Sequence, residues 1–245
     1  MRIDQITGIY HCFSCGFAGN VFELYGLPAN LLAIKRENLR RKMTEKRLNS
    51  AGLEMPKGYT PYTEEYRGIS AETIVKFQAF THPDKQFIDR IVFPLTDMSG
   101  LIYAFHGRDL TNMLKAKYLT YPPKTALSLY PLIARPYMNS IILVEGIVDA
   151  LNLWDKGLNN VVCSFGTDSM SKNKLILLKM MGAQELVLLF DNDDNEAGQK
   201  AALKVQKLCE NNDMPVRNIT ISEGDPGDMS SEKVYRLKKY LYSET

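Results

Sequence analysis

"SIILVEGIVDALNLWDKGLNNVVCSFG", residues 140–166, holds two short, near-continuously apolar runs separated by a segment of helical spacing that closes on Gly157. A run with no alternating polar positions suits a strand covered on both faces, as in a parallel sheet flanked by helices. Downstream the rhythm repeats. "SMSKNKLILLKMMG" (169–182) reads as a helix, "ELVLLFD" (185–191) as a strand, "EAGQKAALKVQKLCENN" (196–212) as a helix and "VRNITIS" (216–222) as a fourth strand. Strand and helix alternate, which predicts an α/β parallel sheet flanked by helices.

Upstream the character is different. "SAETIVKFQAF" (70–80) has a cap at Ser70, Glu72 in the first turn and helically spaced apolar residues. "DRIVFPLTDMSGLIYAFHGRDL" (89–110) has two apolar runs joined at "DMSG", a β-hairpin pattern, so this part is expected to be an α+β subdomain. "AGLEMPKGYTPYTEE" is rich in Pro, Gly and Thr and marks a boundary near residues 50–62. Before it, "LLAIKRENLRRKMTEKRLN" (31–49) reads as a solvated basic helix or linker, and "GIYHCFSCGFAGNVFELYGL" (8–27) as a knuckle followed by a short helix. The expected division is 1–30, 31–55, 56–136 and 137–245.

The 245 residues are 45% hydrophobic, enough for a real core in one or two domains. Thirty basic residues against 28 acidic ones give a net +2, so a polyanionic partner can be signalled only by local clustering. No apolar run approaches membrane-spanning length, and "MRIDQITG" lacks the layout of a signal peptide, so a cytoplasmic location and no membrane partner are expected. Four cysteines, only Cys12 and Cys15 closely spaced, do not make a disulfide framework; the pair reads as metal or redox chemistry.

In an open parallel sheet, ligands sit beyond the carboxyl ends of the strands. That edge would receive Glu145, then Asp191 and Asp193 of "LVLLFDND", then the acids of "SEGDPGD" (222–228). Carboxylates this close repel, and a hard divalent cation such as Mg²⁺ relieves the repulsion while leaving room for waters and phosphate oxygens. Each acid alone has a plainer reading as a turn or a helix N-cap. Their recurrence at successive strand ends of one sheet favours a shared metal site. Arg90, Arg108, Lys115 and Lys117 are candidates for holding backbone phosphates, with Tyr118 and Tyr121 close enough in sequence to stack bases. The competing reading is solvated charge with packed aromatics.

"ILVEGIVDAL", "SFGT", "LFDNDDNEAGQKAA" and "DPGDM", in this order, resemble the Toprim domain shared by DnaG-type primases, topoisomerases and some nucleases. "RGISAETIVKFQAF", "FIDRIVFPLTDMSGLIYAFHGRDL" and "KAKYLTYP" resemble the amino-terminal part of the primase polymerase domain, and "YHCFSCGFAGNVFEL" resembles the second half of its zinc ribbon. The resemblance covers most of the chain. It implies Glu145, Asp191 and Asp193 as catalytic ligands of Mg²⁺ (or Mn²⁺), with Asp149, Asp225 and Asp228 as outer members, and it favours functional roles for Arg108 and Lys117. It implies RNA primer synthesis from ribonucleoside triphosphates on single-stranded DNA, with Glu145 also available as a general base, and a replicative helicase as protein partner, though no helicase-binding tail is recognised. The Toprim alternatives are a nuclease and a catalytically silent single-strand-binding remnant.

Two departures from the family pattern stand out. "DDNEAG" puts four residues between Asp193 and Gly198, where the family has two. Either two residues are inserted, or Asp193 and Asn195 take the ligand places; strand geometry favours insertion, with Asp194 as a supernumerary ligand. Cys12 and Cys15 supply only two of the four donors of a structural Zn²⁺ site, and the family's first pair would lie before residue 1. His11 adjoins Cys12 too closely to share a tetrahedron comfortably. The chain is then a fragment or internal-start form, or the knuckle is vestigial, with a redox CxxC ranked last.

Overall fold

The computed structural model describes residues 2–3, 8–12, 14–21, 52–84, 86–166, 169–191, 197–221 and 224–242. The basic stretch 31–49, the short helix expected after the CxxC, and Asp193, Asp194 and Asn195 lie outside the described residues. The chain divides into two compact units, Met1–Ala51 and Gly52–Thr245.

In the first unit, β1 (Arg2–Ile3), β2 (Ile9–His11) and β3 (Ala18–Asn20) form an antiparallel sheet in that order. Tyr10 pairs with Gly19, where any Cβ would stand 2.5 Å from the Tyr10 hydroxyl oxygen. The CxxC occupies the β2–β3 connection. There the Cys12 amide donates to Phe17 O at 2.8 Å, and Gly16, at φ +73°, donates to Cys12 O at 2.9 Å.

The second unit opens with a five-stranded antiparallel sheet of β4 (Thr60–Pro61), β5 (Phe80–Thr81), β6 (Arg90–Thr96), β7 (Ile102–Asp109) and β8 (Tyr118–Tyr121). The predicted hairpin is β6–β7, with Asp97 Oδ1 accepting from the amides of Ser99 and Leu101 to shape the turn. The predicted helix is α1 (Ala71–Lys76), capped by the Ser70 hydroxyl accepting from Thr73 N. It is shorter than its apolar spacing suggests. Gln78 enters the left-handed region at φ +54° and Ala79 N returns to Ile74 O, so the chain turns out of the helix and Phe80 pairs with Val92.

From residue 140 the chain is a wound sheet. β9 (Ser140–Val144), α2 (Ile147–Asp155), β10 (Val161–Cys163), α3 (Lys172–Met180), β11 (Glu185–Leu188), α4 (Ala197–Glu210) and β12 (Val216–Asn218) alternate, and the four strands run parallel in the order β10-β9-β11-β12. Every residue of β9 is buried. A 3₁₀ turn (Pro226–Asp228) and α5 (Ser231–Tyr242) come next; the sequence pattern predicts no helix there. Tyr242 ties α5 to the sheet, its hydroxyl accepting from Asn160 Nδ2 at 2.6 Å and lying 3.0 Å from Ser140 Oγ.

The antiparallel and parallel sheets share one apolar core. Phe77 meets Tyr130 at 6.0 Å and Trp154 at 5.3 Å between ring centroids, and Tyr130 pairs with Cys163, covering the outer edge of β10. Leu143 lies in the central strand with no exposure. Leu143→Ala is expected to cost about 2–5 kcal/mol, read as a lower urea midpoint with little change in slope.

Candidate active site

Because β9 and β11 are parallel neighbours in register, both deliver the residues beyond their ends to one edge of the sheet. Leu189 N donates to Leu143 O at 3.0 Å, which extends the pairing past β11 and brings Asp191 beside Glu145. Asp191 N donates to Glu145 Oε1 at 3.3 Å. Asp149 lies in the first turn of α2, and its Oδ2 accepts from Gly146 N at 2.8 Å. Asp225 arrives from the 3₁₀ turn. Glu145, Asp149, Asp191 and Asp225 all line one cavity of about 440 Å³.

Asp149 is only 9% exposed. Burial, and then the carboxylates of Asp191, Asp225 and Glu145, push its pKa up to about 8, partly offset by the Gly146 amide. A Cβ on Gly227 would stand 2.7 Å from Asp149 Oδ1 and 3.0 Å from Asp225 Oδ1, so the turn approaches these acids only because that position is glycine. Asp225 Oδ1 is buried and accepts no hydrogen bond among the described residues. A buried carboxylate oxygen with no donor, beside other carboxylates, fits a hard cation. Among the described residues no three His, Cys, Asp or Glu side chains already enclose a common point. Mg²⁺ does not require that, since it is held by one or two carboxylates with waters and phosphate oxygens.

Basic and aromatic side chains line the same cavity. Arg67, Arg108 and Lys117 line the cavity together with His106, Tyr118 and Phe165. Arg108 Nη1 donates to the Tyr118 hydroxyl, and its guanidinium and the Lys117 ammonium lie 5.1 and 5.8 Å from the Tyr118 ring centroid. His106 stacks on Tyr118 at 5.2 Å and meets the edge of Phe165 at 4.9 Å. Burial, then the Arg90 guanidinium, push the His106 pKa down to about 4, leaving a neutral ring at pH 7, with Nδ1 3.0 Å from Thr120 Oγ1. Phe165 stands in the left-handed region at φ +62°, in a loop fastened by the buried Lys174, whose Nζ donates to Ser164 O at 2.8 Å.

Several expected residues stand elsewhere. Arg90 was a candidate for the phosphate wall but is buried, donating to Ala116 O at 2.7 Å and Lys117 O at 3.3 Å; it anchors the 110–117 loop from below. Lys115 is exposed and is not one of the cavity-lining residues. Tyr121 packs against Phe87 at 5.8 Å in the smaller apolar cluster, so its ring serves the core. Asp228 lies at the rim, with Arg67 Nη2 at 3.2 Å. Arg67 was not singled out from the sequence. Its signal was the "RG" before the Ser70 cap: Arg67 and Gly68 both take positive φ, in a turn closed by reciprocal hydrogen bonds between Tyr66 and Ile69.

The Cys12 thiol is drawn below its usual pKa first by the Cys15 amide, then by the Ser14 amide and the Cys15 thiol. Such amides also favour a metal-bound thiolate. The pair provides two sulfur donors in the β2–β3 connection.

Residues 62–127 match the family model of the DNA primase catalytic core, N-terminal domain, and residues 142–230 match a Toprim-like model. The chain is 32% identical over 188 residues to a DNA primase of Borreliella burgdorferi, covering 71% of this chain and 35% of that protein. A DNA primase domain from Pseudomonas aeruginosa superposes with a TM-score of 0.54 at 27% identity, covering 69% of this chain and 58% of that one. A DnaG primase catalytic domain bound to single-stranded DNA superposes at 0.60 with 22% identity, a likeness of fold, over 73% of this chain and 69% of that one. The chain spans 28% to 53% of the length of the curated relatives it matches.

His106 gives a pH signature. Its folded pKa lies below the ordinary value of 6.5, so the stability it contributes is present above pH 6.5 and is lost as pH falls through about 4. His106→Phe, which keeps the stack on Tyr118, is expected to flatten the urea midpoint between pH 6.5 and 4. Gly227→Ala should drive the Asp149 and Asp225 carboxylates apart and weaken divalent-cation binding at these acids at least ~10-fold, read by calorimetry, with the fold intact by circular dichroism.

Proposed function

Because this chain belongs to the DnaG-type DNA primases, with a catalytic-core amino-terminal domain followed by a Toprim domain, we propose that it joins ribonucleotides into short RNA primers on single-stranded DNA. The observation that carries the proposal is one cavity lined both by Glu145, Asp149, Asp191 and Asp225 and by Arg67, Arg108 and Lys117. A chelated triphosphate presents both halves of the complementary charge pattern. We assign the acidic wall to a functional unit of residues 137–245 and the basic wall to one of residues 56–136.

Glu145 and Asp191, with Asp193, would hold Mg²⁺ or Mn²⁺, and Asp149 and Asp225 would complete the acidic surround. When bound, the metal neutralises the charge that develops on the phosphoryl oxygens and on the pyrophosphate leaving group. The Glu145 carboxylate accepts the proton of the attacking 3′-hydroxyl. Arg108 and Lys117 hold triphosphate oxygens, Arg67 a backbone phosphate at the rim, and the Tyr118 ring borders the place a base would take. With the Arg108 guanidinium held by a phenol, the cation arrives pre-oriented.

Cys12 and Cys15 would supply two of the four ligands of a Zn²⁺ site in the template-recognition module. A replicative helicase is the proposed protein partner, and the cytoplasm the proposed location; no helix of the described residues is long and apolar enough to cross a membrane.

Glu145→Gln and Asp191→Asn are each expected to lower Mg²⁺-dependent oligoribonucleotide synthesis on single-stranded DNA by at least ~100-fold, leaving DNA binding within about twofold in a fluorescence anisotropy titration. Synthesis at wild-type rate in either variant would refute the site. Cleavage of labelled DNA without ribonucleotides would show a nuclease, and salt-sensitive binding with no metal-dependent chemistry would show a silent binding module.

A further inference from the structure

Asn152 does not line the cavity, yet it stands one helical turn beyond Asp149 on α2 and is 1% exposed. Both of its amide hydrogens are engaged with the turn that carries Asp225: Nδ2 donates to Pro226 O at 2.8 Å and to Met229 O at 3.0 Å. Its Oδ1 accepts from Lys156 Nζ. Lys156 Nζ also donates to Gly68 O at 3.1 Å and lies 3.9 Å from Asp155 Oδ2. Asp155 Oδ1 in turn accepts from Ser70 N at 3.1 Å and from the Ser70 hydroxyl. The pair of Arg67 with Asp228 closes the circuit.

The result is a ring of polar contacts through three segments far apart in sequence: the turn at residues 66–70, the end of α2, and the turn at residues 225–229. Two cavity groups hang from it, Asp225 and Arg67. Asp225 approaches Asp149 against electrostatic repulsion, and repulsion alone would push the turn outward. The carbonyls held by Asn152 belong to the residue directly after Asp225 and to Met229 at the end of the same turn, and both residues are buried. Removing the amide leaves two buried carbonyls without this donor, a cost the turn can relieve only by moving towards water.

We infer that Asn152 is a positioning residue that holds Asp225 against Asp149 and so sets the affinity of the acidic pocket for a divalent cation. This rests on the reading of those acids as an ion site. A residue needed only for folding would change stability without changing the affinity of the folded protein for Mg²⁺. The chain contains a single tryptophan, Trp154, two residues beyond Asn152 on the same helix, which gives an optical readout independent of activity.

The test is a titration of Mg²⁺ into the full 245-residue chain, wild type and Asn152→Ala, below both melting temperatures, followed by Trp154 emission and by calorimetry. The expected result is a rise of about tenfold or more in the Mg²⁺ concentration at half-saturation, with single-stranded DNA binding in the absence of metal within about twofold of wild type. Asn152→Ser, which keeps one donor, is expected between the two and decides the matter if the alanine variant does not fold. If wild type binds Mg²⁺ and the folded variant has the same midpoint, the positioning role is refuted while the acidic site stands. If wild type binds no Mg²⁺, both fall.

Discussion

The constraint on which the rest of this structure turns is the repulsion around Asp149, a carboxyl buried within reach of three others. Nothing in the local sequence of α2 makes that arrangement favourable. The parallel sheet imposes it, because β9 and β11 are hydrogen-bonded neighbours whose carboxyl ends cannot separate without breaking the core. The turn carrying Asp225 closes the third side, and Gly227 lets it come that near. The fold therefore holds together a set of charges that would otherwise disperse, which is what an ion-dependent centre requires before its ion arrives.

The cations are arranged differently. Arg90 and Arg108 are both almost fully buried, yet they do different things. Arg90 reaches two backbone carbonyls and fixes the loop that presents Lys117, while Arg108 reaches a phenol beside the cavity. Composition cannot separate an arginine that fixes a loop from one that faces the cavity. What separates them is strand register: Arg90 lies opposite Asp109 and Arg108 opposite Ile91 and Tyr118, so neighbouring positions on one hairpin send their side chains to opposite faces.

The parallel sheet was legible because β9, β10 and β11 are apolar on both faces, a pattern no amphipathic helix shares, and because the acids fall just where the apolar runs stop. Glu145 and Asp191 could be placed from that alone. Strands β4, β5 and β8 were not legible. Two of them have only two residues, and β8 has the alternation of a partly exposed edge with no turn signal before it. Arg67 and Asn152 were missed for a common reason. Each acts through a contact of long sequence separation, Arg67 with Asp228 and Asn152 with Pro226 and Met229, and no periodicity marks such a residue in advance. His106 sits in a strand run where a buried neutral imidazole and any other core residue look alike until the Thr120 hydroxyl is seen beside it.

The pairing of Arg67 with Asp228, and not with the buried acids, obeys the same electrostatics. At the rim both side chains are substantially exposed, so the pair is worth little as a stabilising contact. Its value is directional. An arginine drawn inward to Asp149 or Asp225 would neutralise the pocket from within and compete with a cation for the same oxygens. Held by Asp228, with the end of α2 anchoring the turn beneath it, Arg67 lines the cavity without neutralising its buried acids, as the proposed metal site requires. The cavity thus keeps acids and cations together without their cancelling one another, the arrangement on which the proposed binding of a metal-chelated ligand rests.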